Sequence, residues 1–384
     1  MKLTKEMAYP ILQKLTNTLN YNINIMDEQG IIIASVDPNR MDSYHEGAIE
    51  VLKTKKALIL TNEETGRFSG TKEGVNLPVE FMGDIIGVVG ITGKPDEVLE
   101  LAQITKITVE LMLQQMYLQR QAQFEKQLTH SWVLDLINPD FEDEKRLSNH
   151  AKHFLKIEVE KELFVILIEM PMLHSIHPLT DLMKRTELIE QVDRHVKAIN
   201  HDIAFMDVTH HDFMIMGMNL HHHLTEEEVA KSLFQSLCKM DKNLYIDSTI
   251  AVGKPYSNIS GFRKSYFEAK QTLHLMKKFN NSSRVSHVSE WGIIRLLDQV
   301  PAAERGEFLH QYSINDLPVD LKETLNALLE CDQNLTLTAE KLHIHRNTLT
   351  YRLESIRQIL GLNPKSLNDL TTLKILLILQ QLDT

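Results

Sequence analysis

Alternation of polar and apolar positions first becomes regular at Asn22-Ile23-Asn24-Ile25-Met26, the period of a half-buried strand. Asp27-Glu28-Gln29-Gly30 supplies a turn, and residues 31–36 the returning strand. Residues 1–20 read as a helix, interrupted or bent near Pro10. A helix is expected over 44–54, and short strands over 57–61, 75–82 and 84–91. Gly83, Gly87, Gly90 and Gly93 lack the spacing of a nucleotide-binding loop. They read as glycines bounding a hairpin strand. Tightly turned strands with one helix between them predict an antiparallel sheet in a sensor-type α+β domain, PAS-like in plan.

From 96 to 138 the pattern changes. Pro and Gly are absent there, and Leu101, Ile104, Val109, Met112, Met116, Phe124, Leu128 and Trp132 recur. The segment exceeds ~25 helical residues, a length that points to a connecting helix or a coiled coil. Its heptad regularity is imperfect, and Pro139 ends it. Beyond it come a strand (163–169), a helix (181–199), two strands (203–208, 213–218), a helix (226–240), a strand (248–252) and a helix (259–279). This β-α-β-β-α-β order with a further helix predicts a ferredoxin-like middle domain. From about Val319 the chain is all helix. The expected domains are 1–138, 139–300 and 301–384.

The stretch LTLTAEKLHIHRNTLTYRLESIRQILGL, starting at Leu335, is the most telling. A short helix meets a turn at His343-Ile344-His345, and a longer helix follows. Leu349, Leu353, Ile356 and Leu360 fall on one face of that longer helix, with Asn347, Tyr351, Glu354 and Gln358 opposite. An apolar back and a polar front, propped by a short preceding helix, is how a helix-turn-helix presents side chains to a DNA groove. A helical hairpin that merely closes a domain has the same apolar pattern, so the outward residues decide. Asn347 can read adenine, and Arg346, in the first turn, can pair with guanine or phosphate. Arg352 and Arg357 flank the apolar stripe and suit phosphate.

Composition narrows the class. A chain of 384 residues holds two or three domains. No apolar run reaches the ~20 residues of a membrane span. The first residues show no secretory pattern, so a cytoplasmic protein is expected. Cys238 and Cys331 give neither a disulfide framework nor zinc-ligand spacing. Net charge is −11, against general nucleic-acid affinity. From Leu321 onward, however, seven Lys+Arg balance seven Asp+Glu. A neutral tail on an acidic chain suits a single reading helix, which needs few cations. His210-His211 and His221-His222-His223 could ligate a metal, but read better as solvated loop residues. No metal and no cofactor are expected.

IHRNTLTYRL, with Ala339, Leu342 and Gly361-Leu362 around it, resembles the C-terminal domain of the PucR/CdaR-type regulators. The N-terminal NINIMDEQGIIIASVDPNRMDSYHEGA and GVNLPVEFMGDIIGVVGITG are similar to the sugar-diacid recognition domain of the CdaR subgroup. The middle region looks like that subgroup's degenerate GGDEF-like domain. The resemblance implies DNA-contact roles for Arg346, Asn347, Thr348 and Tyr351, with Thr350 and Arg352 beside them. It also implies a sugar-acid effector such as glucarate, galactarate or glycerate, and activation of catabolic genes; the residues alone do not reveal the sign of regulation.

A carboxylate wants a guanidinium, backbone N–H groups and short hydrogen-bonding side chains. Arg40 and His45, near a helix start, are the expected carboxylate grip. Ser35 and Asn76 are expected to bind hydroxyls, with Gly74 and Val75 leaving the backbone open. Arg40 has other partners in Asp37 and Asp42, His45 can instead cap its helix, and Asn24 can be a solvent-facing strand residue. The expected partners are double-stranded DNA, a small carboxylate effector and further copies of the chain, as a homodimer or larger oligomer.

One enzyme reading remains. A diguanylate cyclase needs an acidic, Gly-rich hairpin to hold metal and triphosphate. Val208-Thr209-His210-His211-Asp212 lacks both features. Cyclase activity is therefore not expected. The alternative is a nucleotide-sensing or enzymatic protein centred on residues 140–290; another is a scaffold whose terminal helices bind protein.

Overall fold

Two five-stranded sheets, each built of short strands, organise the chain. A computed structural model describes residues 2–17, 19, 21–171, 182–199, 202–208, 213–220, 224–279 and 282–383. Contacts divide the chain into two compact units, Met1–Lys126 and Gln127–Thr384.

In the first unit, α1 (Lys5–Thr16) runs on through Pro10 without interruption. Strands β1 (Asn22–Met26) and β2 (Ile32–Ser35) precede α2 (Glu46–Thr54). Then come β3 (Leu58–Leu60), β4 (Gly74–Phe81) and β5 (Asp84–Thr92). The sheet order is β2-β1-β5-β4-β3, antiparallel throughout. Met82 and Gly83, with φ of 51° and 89°, make the β4–β5 turn; a two-residue hairpin loop with both residues left-handed matches the twist of its strands.

Period two sorts the strand residues. Ile23, Ile25, Val75, Leu77, Val89 and Ile91 bury one face beneath α1 and the start of α3 (Pro95–Ile137). Met26, Ile32 and Val88 bury the other against Ala48 and Val51 of α2. Each aliphatic side chain so buried is worth roughly 1.5–3 kcal/mol. The second face has the smaller apolar cluster, and polar residues occupy the rest of it.

The second unit takes in the end of α3. There follow α4 (Glu144–His150), β6 (Leu163–Glu169), α5 (Leu182–Ala198), β7 (Ile203–Val208) and β8 (Phe213–Asn219). Next are α6 (Glu226–Met240), α7 (Lys242–Tyr245), β9 (Thr249–Val252), α8 (Asn258–Lys278) and β10 (Val285–His287). The sheet order is β10-β9-β6-β8-β7. The three-residue β10 is too short to leave a pattern, and it joins β9 in parallel. Phe164, Ile166 and Ile168 face α5 and α6. Val165 and Leu167 face Phe262 of α8 and the buried Trp132 of α3. Arg263 donates from Nε to the Leu136 carbonyl at 2.9 Å and from Nη2 to those of Asp135 and Asn138 at 3.1 and 3.2 Å. It thereby satisfies the carbonyls that every helix end leaves open. The hairpin residues 209–212 and the histidines 221–223 lie outside the described residues.

The remainder is helical: α9 (Ile294–Asp298), α10 (Ala302–Gln311), α11 (Val319–Glu330), α12 (Leu335–Lys341), α13 (Arg346–Leu360) and α14 (Leu367–Asp383). One apolar cluster joins Leu325, Leu349, Leu353, Ile356 and Leu373 with Leu273 and Met276 of α8. No described helix is long and apolar enough to cross a membrane.

Candidate effector site and nucleic-acid interface

Strand pairing places the polar residues of the first sheet. Ser35 lies opposite Asn24, Asn24 opposite Gly90, and Gly90 opposite Asn76. Directly opposed residues point to the same face. Ser35, Asn24, Gly90 and Asn76 therefore form one row across four strands, on the α2 side. The row is covered: Asn24 is 2% exposed and Asn76 5%, so Asn24 is no solvent-facing residue.

Hydrogen bonding in this row is incomplete. The Ser35 hydroxyl donates to Asn24 Oδ1 at 2.7 Å and accepts from the Asp37 N–H at 3.1 Å. Among the described residues, nothing bonds the Asn76 amide. Asn22, two residues before Asn24 on the same face, has a buried Oδ1 without a partner. A buried polar atom left unpaired costs about 1–3 kcal/mol. Gly90 makes room between the two strands: a Cβ there would stand 2.4 Å from Asn76 Oδ1.

Arg40 and His45 come together at the start of α2. His45 is the N-cap: its Nδ1 accepts the Ala48 N–H at 3.1 Å. The ring proton therefore sits on Nε2, which has no partner among the described residues. Burial first, then the nearby Arg40 charge, pushes the His45 pKa down to about 4. A carboxylate would meet His45 as a neutral N–H donor rather than as a cation. The Arg40 guanidinium donates to the Gly70 carbonyl at 2.5 Å, and burial lowers its pKa. Asp42, one of its expected partners, pairs with Lys5 instead. Gly70 needs to be glycine: its φ is +74°, and a Cβ would lie 2.7 Å from the Tyr44 carbonyl. The Ser69 N–H donates to a Glu46 carboxylate oxygen at 2.7 Å, fixing this loop to the first turn of α2.

Two expected residues stand differently. Val75 drops out of the row, because strand alternation turns it into the core beneath α1 and α3. Gly74 shares the Asn76 face, and a Cβ there would lie 2.1 Å from the Ile91 carbonyl. It serves close strand approach. Gly90 and Asn22 were missed; only the cross-strand register, invisible in one strand's sequence, brings them to the site.

In the second unit, Asn334 caps α12, accepting from Thr336 and Leu337 N–H at 3.1 and 3.2 Å. His343, at φ 53°, makes the sharp turn. His345 caps α13 through Nδ1, 3.2 Å from the Asn347 N–H. Gly361, at φ 71°, closes its other end. Leu349, Leu353, Ile356 and Leu360 are buried. Arg346, Asn347, Thr348, Thr350 and Tyr351 are exposed, Tyr351 to 75%. Thr350 donates its hydroxyl to the Arg346 carbonyl at 3.0 Å. Arg352 turns back onto α11, 3.1 Å from Thr324 Oγ1 and 3.6 Å from Asp320 Oδ2. It braces α13 against α11; reaching a phosphate would require that pair to open. Among the described residues no cluster of three potential ligands could hold a metal.

Residues 3–136 match the sugar diacid recognition family, residues 139–275 the GGDEF-like domain, and residues 321–379 the PucR C-terminal helix-turn-helix domain. The chain is similar to the Carbohydrate diacid regulator of Escherichia coli K12, 26% identical over 373 residues that cover 96% of this chain and 95% of that protein. An uncharacterised protein of Haemophilus influenzae is 27% identical, covering 97% of this chain and 98% of its own length. The DNA-binding transcriptional activator AdeR of Bacillus subtilis is 31% identical over 145 residues, 36% of this chain and 34% of that protein.

Proposed function

Because the chain carries the sugar-diacid recognition, GGDEF-like and PucR helix-turn-helix domains of a CdaR-type regulator in that order, we propose that it is an effector-switched transcription activator of carbohydrate-acid catabolism. Arg346, Asn347, Thr348 and Tyr351 read DNA; Thr350 flanks them. Sheet order β2-β1-β5-β4-β3 supports a PAS-like sensor over residues 1–138. The order β9-β6-β8-β7 within the second sheet supports a ferredoxin-like middle domain over 139–300, used as a scaffold rather than an enzyme. Residues 301–384 carry the DNA-binding end.

The effector is a small hydroxy acid of the glucarate, galactarate or glycerate kind. The observation that carries this is the Asn76 side chain, 5% exposed, facing Gly90 with no hydrogen bond to its amide among the described residues. It offers a donor and an acceptor to hydroxyls; Asn24, whose Oδ1 accepts from Ser35, offers its Nδ2 as a donor. Arg40 supplies the positive charge for a carboxylate and His45 Nε2 a neutral donor. Ser35 holds Asn24 in orientation. Binding switches the protein only if the effector prefers one arrangement over another.

A thermal-shift screen of the full chain against glucarate, galactarate, glycerate, glycolate and neutral sugars tests this. One acid should raise the transition, by about 2.7 kcal/mol at a hundredfold excess over its Kd. Asn76→Ala and Arg40→Ala should each erase the shift. Gly90→Ala, which drives the Asn76 amide aside, should weaken it. A shift that survives all three substitutions would place the effector elsewhere.

A further inference from the structure

Building on the hydroxy-acid reading of this site, we propose that its effector carries one carboxylate and not two: a hydroxy monocarboxylate of the glycerate kind, whose remaining polar groups are hydroxyls. The family description names diacids; the charges on this chain do not match one. Among the described Lys and Arg side chains of the first unit, Arg40 and Lys106 alone are not exposed. Lys106 lies on α3, whose start covers the opposite face of the sheet, and it pairs with Glu80 and Glu110 at 3.5 Å each. The other cations stand in solvent, where water and salt screen their hold on a covered carboxylate.

The anions near Arg40 sharpen this limit. Asp37 is close enough to act on the Arg40 charge. The Glu46 carboxylate holds the Ser69 N–H at 2.7 Å, one residue from the Gly70 carbonyl that takes the guanidinium. His45 is neutral near pH 7. One effector carboxylate therefore already meets two fixed carboxylates and a single cation. A second would add a negative charge with nothing to offset it, and an unpaired carboxylate is among the costliest groups to enclose.

The rest of the covered face is neutral. Its link to the grip runs through Gly47, where a Cβ would stand 3.1 Å from His45 Cε1 and 3.3 Å from Leu58 Cδ2. Leu58 in turn lies opposite Asn76. Beside the row of Ser35, Asn24 and Asn76 runs a second, in which Thr92 pairs with both Asn22 and Gly74. Leu60 closes it opposite Gly74. Every side chain of the two rows is an amide, a hydroxyl or a hydrocarbon. The buried Oδ1 of Asn22 has no partner among the described residues. It is an acceptor in want of a hydrogen; a hydroxyl brings one, and a carboxylate at neutral pH does not.

Calorimetric titration of the full chain with matched acids tests this. Glycerate is set against tartronate, the same carbon chain with a carboxylate at each end, and gluconate against glucarate in the same way. In the pair that binds, the monoacid should bind about tenfold tighter or more. Asn22→Lys, which brings a second cation to this face, should close the gap, its ligand-free melting temperature showing that the fold survives. A diacid that binds as tightly as its monoacid partner, or a gap that stands in the folded Asn22→Lys chain, would overturn the proposal and leave the hydroxy-acid reading in place. If none of the four acids binds, that reading falls, and the single-carboxylate effector with it.

Discussion

Replacing Arg346 and Asn347 together by alanine is expected to abolish sequence-specific DNA binding without lowering the melting temperature. Both residues sit in the first turn of α13, exposed, and neither side chain bonds anything among the described residues. The cap of this helix is His345, which accepts the Asn347 backbone N–H, so removing the Asn347 side chain leaves the cap intact. A bidentate base contact is worth ~1–3 kcal/mol of discrimination, so the pair would contribute roughly 2–6 kcal/mol where the two contributions add. Fluorescence anisotropy on a duplex selected from a randomised pool, at two salt concentrations, measures this. A base-reading pair costs affinity mainly for the selected sequence. A phosphate-binding arginine would instead weaken all sequences alike and flatten the salt dependence. Unchanged preference for the selected duplex in the double variant would refute the assignment of α13 as the reading helix.

The legibility of this site in the sequence followed the range of the interactions. The α13 face could be read because helical period and exposure are local: four buried leucine-type positions leave the opposite residues no choice but solvent. The strands of the first sheet were equally legible, since alternation and turn residues are local as well. Which side chains share a face of the sheet depends on partners far along the chain. Asn24, Gly90 and Asn76 meet only through the register of β1, β5 and β4, and nothing near Asn24 announces that its polar side is covered. Arg352 shows the same limit. Its position on the helix suggested phosphate, yet Thr324 and Asp320, on α11, take its guanidinium. His45 was legible as a residue at a helix start, but not in its charge state, which burial sets.

That charge state is expected to make the stability of the first unit depend on pH. His45 is 3% exposed, and its pKa lies at about 4 against an ordinary 6.5. The folded chain therefore stays unprotonated at this ring while the unfolded chain takes a proton. Between pH 6.5 and pH 4 the unfolded state binds more protons, so the contribution of His45 to stability falls as pH falls. It is constant above about pH 7 and changes no further once both states are protonated. The loss across the window is about 3 kcal/mol, at 1.36 kcal/mol for each pKa unit. His45→Asn isolates the effect, because asparagine is a competent N-cap that does not titrate. The difference in unfolding free energy of the first unit, full chain against full-chain variant, should slope from pH 6.5 to 4 and be level from 7 to 8. A level difference throughout would mean that the ring ionises normally and is not buried as described. The same neutrality bears on the effector. If Nε2 donates as a neutral group, effector affinity stays flat from pH 6 to 8. If His45 gripped the carboxylate as a cation, affinity would fall about tenfold per pH unit above its pKa in the complex, leaving Arg40 to hold the acid alone.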